Sequence, residues 1–379
     1  MAHIRKVPRK AQNGRARFAY EVRYRDPERR ERVKTFARKL DAARFSASIE
    51  TDKQRHAYID PDLGRVMFGE WAAEWLATKT IEPKTRNSYE DVMRNLVLPA
   101  FADAQLARVR ALDIERFFAG LRQSGVSVSR MRHAKSLLRQ VFEAAVRSGY
   151  VARSPVLGVR LPKSQPREMN VLNADQVAAI ASSVPERFRT LIYVLAYGGL
   201  RWGEAAALRR GRCNLQHGRL EVIEAVSDVN GVLHYGSTKT HQARWVVLPA
   251  FLRESLGQHL TEFAESDPRT LVFTTESGTP LRNGNFRRRV WLAALDTAQV
   301  PRTVRINDLR HTCASLLISR GASIKAVQKH LGHATAAMTL DVYGHMLPNE
   351  QEQIAAELDE IFQSGHQADD RSHARHTIY

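Results

Sequence analysis

The stretch from Asn307 to His345, NDLRHTCASLLISRGASIKAVQKHLGHATAAMTLDVYGH, constrains the fold more than any other part of the chain, because it punctuates three short helices. The first runs through LLISRG to a stop at Gly321, SIKAVQKHLGH forms a second ending at Gly332, and a third extends from Thr335 to about Val342. Polar residues fall at the ends of these helices. Asn307 and Arg310 stand three apart, so one helix face presents both to the same small anion. His333 follows Arg310 by 23 residues, just past the second helix, and Tyr343 lies ten residues further on. A guanidinium, an imidazole and a phenol gathered in this way suit a phosphodiester. The Arg grips phosphate as a fork, and the Tyr can attack phosphorus.

These residues carry a resemblance to the C-terminal boxes of the tyrosine recombinases, the phage integrase family, whose pattern is H-x-x-R, then H or W, then the nucleophilic Tyr. Asn307 stands where that family usually has the first His. An amide can hydrogen-bond to phosphate or phenol but cannot carry a proton near neutral pH, so the expectation at Asn307 is orientation without acid-base work. His311, beside Arg310, is a candidate stand-in. Adjacent helix positions diverge by about 100°, and the simpler reading of His311 is a packed helix residue.

Charge and length bound the rest. The 379 residues suffice for two or three domains, and a formal net charge of +18 with a pI near 10.3 favours a polyanionic partner. Residues 1–65 hold 18 Lys and Arg against 9 Asp and Glu, half the excess in about a sixth of the chain. The two cysteines, Cys213 and Cys313, lie a hundred residues apart and fit a reducing compartment. No apolar run approaches the ~18 residues of a membrane span, and the N-terminus lacks a signal-peptide core. These features predict a soluble intracellular protein, and the resemblance implies the cytoplasm of a bacterial host, in association with the nucleoid.

In the first region, residues 1–65, Phe18, Tyr20, Val22 and Tyr24 alternate with Arg17, Glu21, Arg23 and Arg25, a period of two that predicts a half-buried strand. ERVKTF predicts a second strand and KLDAARFSASIETDKQRHAY a helix, giving a small α+β domain. Arg17, Arg23 and Arg25 are candidate DNA contacts, against the alternative of a solvated charged surface. The segment resembles the arm-site-binding domain of integrases that hold two DNA sites at once.

The second region, residues 66–162, places Met67, Phe68, Trp71, Ala72, Trp75 and Leu76 at helical spacing, follows with a helix from Thr85 to about Val97 ended by Pro99, and adds two more helices. This predicts an all-α bundle with Trp71 and Trp75 in its core. Arg132, Lys135 and Arg139 share a face of the last helix and could track a phosphate backbone; a solvated face is an equal alternative. The pattern resembles the family's core-binding domain.

Residues 163–170 form a linker with Pro166 near its middle, and residues 171–363 a mainly α domain with a small antiparallel sheet. Asn173 and Gln176 make a capping box, with Leu172 and Val177 as its staple. Gly198 and Gly199 break a helix, and Arg201 opens the next with Glu204 one turn on. An isolated pair of this kind is simply a surface ion pair. In context it resembles the family's G-L-R-x-x-E box, which implies Arg201 as a second guanidinium on the scissile phosphate and Glu204 as its support. GVLHYGSTKTHQARWVVLP predicts a hairpin with Lys239 near its turn, resembling the family's β-hairpin lysine, the general acid for the leaving oxygen. Arg287, Arg288 and Arg289 occupy one helical turn, and Arg287 and Arg288 are candidate backbone contacts. Ile354, Leu358, Ile361 and Phe362 predict an amphipathic helix, and residues 364–379 a disordered tail.

The resemblance implies a site-specific recombinase in which Tyr343 attacks DNA to leave a 3′-phosphotyrosyl bond and a free 5′-hydroxyl. Arg201 and Arg310 stabilise the phosphate, His333 donates to it, Lys239 protonates the leaving group, and no cofactor is needed because bond energy stays in the intermediate. It further implies double-stranded DNA with core and arm-type attachment sites, a homotetramer on that DNA, an accessory DNA-bending protein and a directionality factor. A metal site is disfavoured: His311, Cys313, His330, His333 and His345 cluster in sequence, but no carboxylate or Cys pair completes a ligand set. Type IB topoisomerases share the chemistry, but the arm-like N-terminal segment and the C-terminal amphipathic helix, which in the recombinase family docks on a neighbouring protomer and could otherwise pack on its own domain, argue for strand exchange between sites. A DNA-binding architectural or regulatory protein with a weakened site is the reading from a different class, and Asn307 is its only support.

Overall fold

The computed structural model describes residues 2–12, 15–25, 29–54, 63–163, 169–238, 243–344, 355–356 and 358–362. It is mostly helical with small antiparallel sheets, and the chain separates into two compact units, Met1–Pro166 and Arg167–Tyr379. Among the described residues no helix is long and apolar enough to cross a membrane.

The first unit contains two separate cores. Strands β1 (His3–Gln12), β2 (Arg15–Arg25) and β3 (Glu31–Phe36) form an antiparallel sheet with β2 at its centre, followed by helix α1 (Lys39–Gln54). Alternation along β2 buries Val22 and Tyr24 with Ala42 and Ile49 of α1 and leaves Arg23 and Arg25 exposed. Strand β1 was not expected. Its run of basic residues around Pro8 hides the period of two, and an edge position tolerates the proline.

The helical core follows, built from α2 (Phe68–Ala77), α3 (Pro83–Val92), α4 (Leu98–Phe101), α5 (Ala111–Gln123) and α6 (Val128–Arg147). Phe68, Trp71 and Trp75 meet Leu137, Leu138, Val141 and Phe142 in its interior, and the Trp71 indole donates to the Val141 carbonyl at 3.1 Å. Pro99 does not end the preceding helix as the sequence predicts. A π turn over Met93–Val97 widens the spiral just before Pro99, where the missing N–H would break a regular ladder, and α4 continues to Phe101.

In the second unit α7 (Ala174–Ser183) starts at the expected box: Asn173 Oδ1 accepts from the Gln176 backbone at 2.8 Å, and Gln176 Oε1 accepts from the Asn173 backbone at 3.0 Å. Then come α8 (Glu186–Tyr197), α9 (Trp202–Ala207), strands β4 (Cys213–Asn214), β5 (Arg219–Val222), β6 (Glu224–Val229), β7 (Val232–Ser237) and β8 (Arg244–Val247), and α10 (Ala250–Glu262). Helices α11 (Asn283–Phe286), α12 (Leu292–Thr297), α13 (Asp308–Ser319), α14 (Ile324–Leu331) and α15 (Ala336–Tyr343) complete it.

The predicted hairpin is not a pair of neighbours. Strand β8 pairs with β5, while β7 pairs with β6 across Asn230–Gly231. Both turn residues have positive φ, the two-residue hairpin geometry that Asn-Gly favours. Residues 355–356 and 358–362 are helical, with Leu358, Ile361 and Phe362 exposed.

Candidate active site

The site assembles where helices of the second unit begin and end. Helix α8 stops at Gly198–Gly199, and Gly199 takes φ +65°, a conformation that a side chain would strain. A Cβ there would also lie 2.7 Å from Leu331 Cδ2. The sharp turn lets Arg201 cap α9 while Glu204 folds back: Glu204 Oε2 accepts from the Arg201 backbone at 2.9 Å and Oε1 from Arg201 Nη1 at 2.8 Å.

Glu204 is the hub. Its carboxylate is buried and also accepts from both terminal nitrogens of Arg244, at 3.1 and 2.6 Å, with Arg310 Nη1 4.0 Å away. Three guanidiniums therefore share one carboxylate, a local excess of positive charge. Burial alone would raise the Glu204 pKa, but the hydrogen bonds and charge of Arg244, the Arg201 backbone and the Arg310 charge outweigh it and hold the value at about 2.

Arg310, on α13, is almost fully buried, and its two terminal nitrogens donate to Gly199 O at 2.6 Å and Leu331 O at 2.7 Å. Those carbonyls are left open by the ends of α8 and α14, so the guanidinium ties two helix C-termini together. Burial, then the neighbouring Arg201 charge, lowers its pKa to about 9. Arg201 is the more accessible, with 24% of its side chain exposed, and its Nη2 donates to Gly332 O at 3.4 Å.

Gly332 ends α14 in the left-handed conformation, and a Cβ on it would lie 2.7 Å from Arg244 Cδ. That close approach lets Arg244 reach Glu204 while its Nε donates to His330 O at 3.3 Å. The turn delivers His333, whose Nδ1 pairs with Thr339 Oγ1 at 2.9 Å. Burial first, then Arg310 and Arg201, lowers the His333 pKa to about 4, so the ring is neutral at pH 7.

Tyr343 closes α15 with 1% of its surface exposed. Its ring lies parallel to His333 at 6.4 Å between centroids, and its Oη is 2.7 Å from His311 Nδ1. Burial pushes the phenol pKa up to about 12, against the lowering effect of Arg310. Asn307 is the exposed N-cap of α13: its carbonyl accepts from the Arg310 backbone N–H at 3.1 Å, and its side chain turns to His311, with Nδ2 3.2 Å from Nε2. The site therefore brings together Arg201, Glu204, Arg310, His333 and Tyr343, and links Asn307 through His311. Lys239 lies outside the described residues. Arg244 was missed; its only sequence signal was its place at the head of RWVVLP, read there as a strand.

Arg23 pairs with Glu21 at 3.4 Å and Glu31 at 3.7 Å, and Arg25 is exposed. Arg17 lies on β2, and its side chain is outside the description. On α6, Arg132 is exposed and Arg139 pairs with Glu143 at 3.0 Å, whereas the Lys135 ammonium turns inward to Val159 O. Arg287 is exposed, and Arg288 donates to Asn285 Oδ1 at 3.0 Å.

Residues 170–350 match the phage integrase family, and residues 67–122 match the N-terminal SAM-like domain of phage integrases; together they span more than half of the chain. The integrase of Mycobacterium phage D29 is 26% identical over 333 residues, covering 86% of this chain and 85% of that protein. Among solved structures, the transposon Tn1549 integrase with transposon right end DNA superposes with a TM-score of 0.68 at 18% identity, over 78% of this chain and 99% of that one. A lambda integrase tetramer bound to a Holliday junction gives 0.58 at 20% identity, over 85% and 92%. Both likenesses show the same fold.

Proposed function

Since the chain belongs to the phage integrase family of tyrosine recombinases, we propose that it is a site-specific recombinase that cuts and rejoins DNA through Tyr343, integrating or excising a phage or other mobile element. The observation that carries this reading is the buried Tyr343 phenol under the charge of Arg310, whose guanidinium is one of three gathered on the Glu204 carboxylate.

Arg201 offers its exposed edge to the non-bridging oxygens, and Arg310 supplies charge from below through the second N–H of each terminal nitrogen. Losing one such donor costs ~10²- to 10³-fold in rate. Neutral His333, its Nδ1 held by Thr339, presents Nε2–H to the same phosphate. Arg244 fixes Glu204 and so holds Arg201 in place. Lys239 is proposed as general acid on the resemblance of its sequence alone.

The DNA-binding assignments follow the division into an arm-type domain at 1–65, a core-binding domain at 66–162, a linker at 163–170 and a catalytic domain at 171–363. Arg17, Arg23 and Arg25 serve arm sites; Arg132, Arg139, Arg287 and Arg288 serve the core duplex. Lys135 contributes by holding the end of its own bundle. The working assembly is a tetramer on paired sites with a bending protein and a directionality factor, in the cytoplasm of the host.

The test is a nicked duplex carrying a core site selected by binding, on which the cut strand diffuses away and traps the covalent complex. Wild type should accumulate an adduct and Tyr343→Phe none. Binding without any adduct would return the chain to the class of architectural DNA-binding proteins.

A further inference from the structure

We propose that His311 is the group that takes the proton from Tyr343 as the phenol attacks, and that Asn307 sets the tautomer that allows it. The inference rests on the recombinase reading and names a further catalytic residue within it.

The hydrogen-bond inventory decides the direction of the proton. Among the described residues, the hydrogen-bond partner of the Tyr343 hydroxyl is His311 Nδ1 at 2.7 Å. Were Nδ1 to carry hydrogen, it would donate to the phenol oxygen and leave the buried O–H with no acceptor, a cost avoided if Nδ1 presents its lone pair. Nε2 then carries the ring hydrogen and needs an acceptor. Asn307 stands there, with its amide nitrogen placed 3.2 Å from Nε2. Amide oxygen and nitrogen are interchangeable in shape, and a half-turn of the amide puts Oδ1 on Nε2–H and frees Nδ2 towards solvent on an exposed residue. In this arrangement every donor meets an acceptor.

The charges around the imidazole suit the task. Burial and the adjacent Arg310 favour the neutral ring, and Asp308, one turn back, opposes them; the first two prevail, so His311 is an unprotonated acceptor at neutral pH. Tyr343 faces it from α15, its ring centroid 5.8 Å from that of His311 and 6.4 Å from that of His333, and His333 is close enough for the two imidazoles to disfavour each other's charge. A phenol held near 12 does not ionise unaided, which is why an acceptor in contact matters.

The step balances. The Tyr343 O–H bond breaks and a bond from hydrogen to His311 Nδ1 forms. The phenol oxygen bonds to phosphorus, the bond from phosphorus to the 5′ oxygen breaks, and the general acid protonates that oxygen. On rejoining, the imidazolium returns its proton to the phenol.

Two measurements test this on the full chain. The single-turnover rate of adduct formation on the nicked duplex should fall about tenfold per pH unit below the His311 pKa. His311→Gln should lower the plateau ~10²-fold and lose that acid limb. The defect should persist on DNA with a sulfur leaving atom at the 5′ position, which needs no general acid. Nitrogen NMR of protein labelled in its histidine rings should show His311 as the Nε2–H tautomer, a result that does not depend on any variant folding. An Nδ1–H tautomer, or a His311→Gln enzyme within threefold of wild type and with the same acid limb, overturns the assignment. Absence of adduct in wild type would instead defeat the recombinase reading, and the role of His311 with it.

Discussion

Replacing Glu204 by Gln tests the hub of the site most quantitatively. The carboxyl ionises near 2 in the folded chain against an ordinary 4.5, and a difference of that size contributes about 3 kcal/mol at neutral pH. Gln preserves the volume, but it sets N–H donors against Arg244 or Arg201 and leaves three guanidiniums without a counter-charge. For a unit of this size 1 kcal/mol moves the melting temperature by about 2–4 °C, so the variant should melt ~6–12 °C below wild type at pH 7. The sign of the pH dependence follows from the lowered pKa. The stabilisation is complete above 4.5 and is lost as pH falls towards 2, so the gap between the two proteins should close over that window. Thermal unfolding followed by circular dichroism at pH 7, 4.5 and 3 measures it. A variant within 2 °C of wild type at pH 7, or a gap equal at pH 7 and pH 3, would refute the account of Glu204 as the buried counter-ion.

Three other expectations concern other parts of the chain. Histidines 259, 311, 330 and 333 all have pKa values lowered chiefly by burial, so the unfolded chain takes up protons first. Stability should therefore drop as pH falls from 6.5 towards 4, and a urea midpoint higher at pH 5 than at pH 7 would contradict this. Gly332→Ala should cost at least about 1 kcal/mol for the left-handed φ of +68° and, by displacing Arg244, slow adduct formation more than tenfold; a variant that cleaves at the wild-type rate would show that Arg244 is not needed. Arg132→Ala should lower the salt dependence of core-DNA binding by about one charge, whereas Lys135→Ala should leave that slope unchanged and lower the melting temperature; the reverse pattern would assign Lys135 to the phosphate backbone.

The residues legible in the sequence are those whose place depends on local chain geometry. Arg201 and Glu204 sit three apart just past a glycine break, His333 follows the helix stop at Gly332, and Tyr343 ends the short helix that Thr335 caps. Arg244 was invisible because its role needs long-range events: β8 pairing with β5, and a glycine 88 positions later with no side chain to block it. His311 is the instructive case. The 100° between neighbours does send Arg310 and His311 apart, Arg310 to Gly199 and Leu331 and His311 to Tyr343. Because α13 has site groups on both sides, divergence placed both residues in the site. The hairpin was misjudged for a similar reason. Asn230–Gly231 carried the turn signal, while the pairing partner of RWVV was set by the sheet.

The account stands most directly on where DNA becomes attached. Adduct trapped on a nicked core site, digested with protease and sequenced by mass spectrometry, should carry its phosphate on Tyr343, joined to the 3′ end of the cut strand. Attachment to any other residue, or to a 5′ end, would contradict the claim that this phenol, held beside Arg201, Arg310 and His333, is the nucleophile.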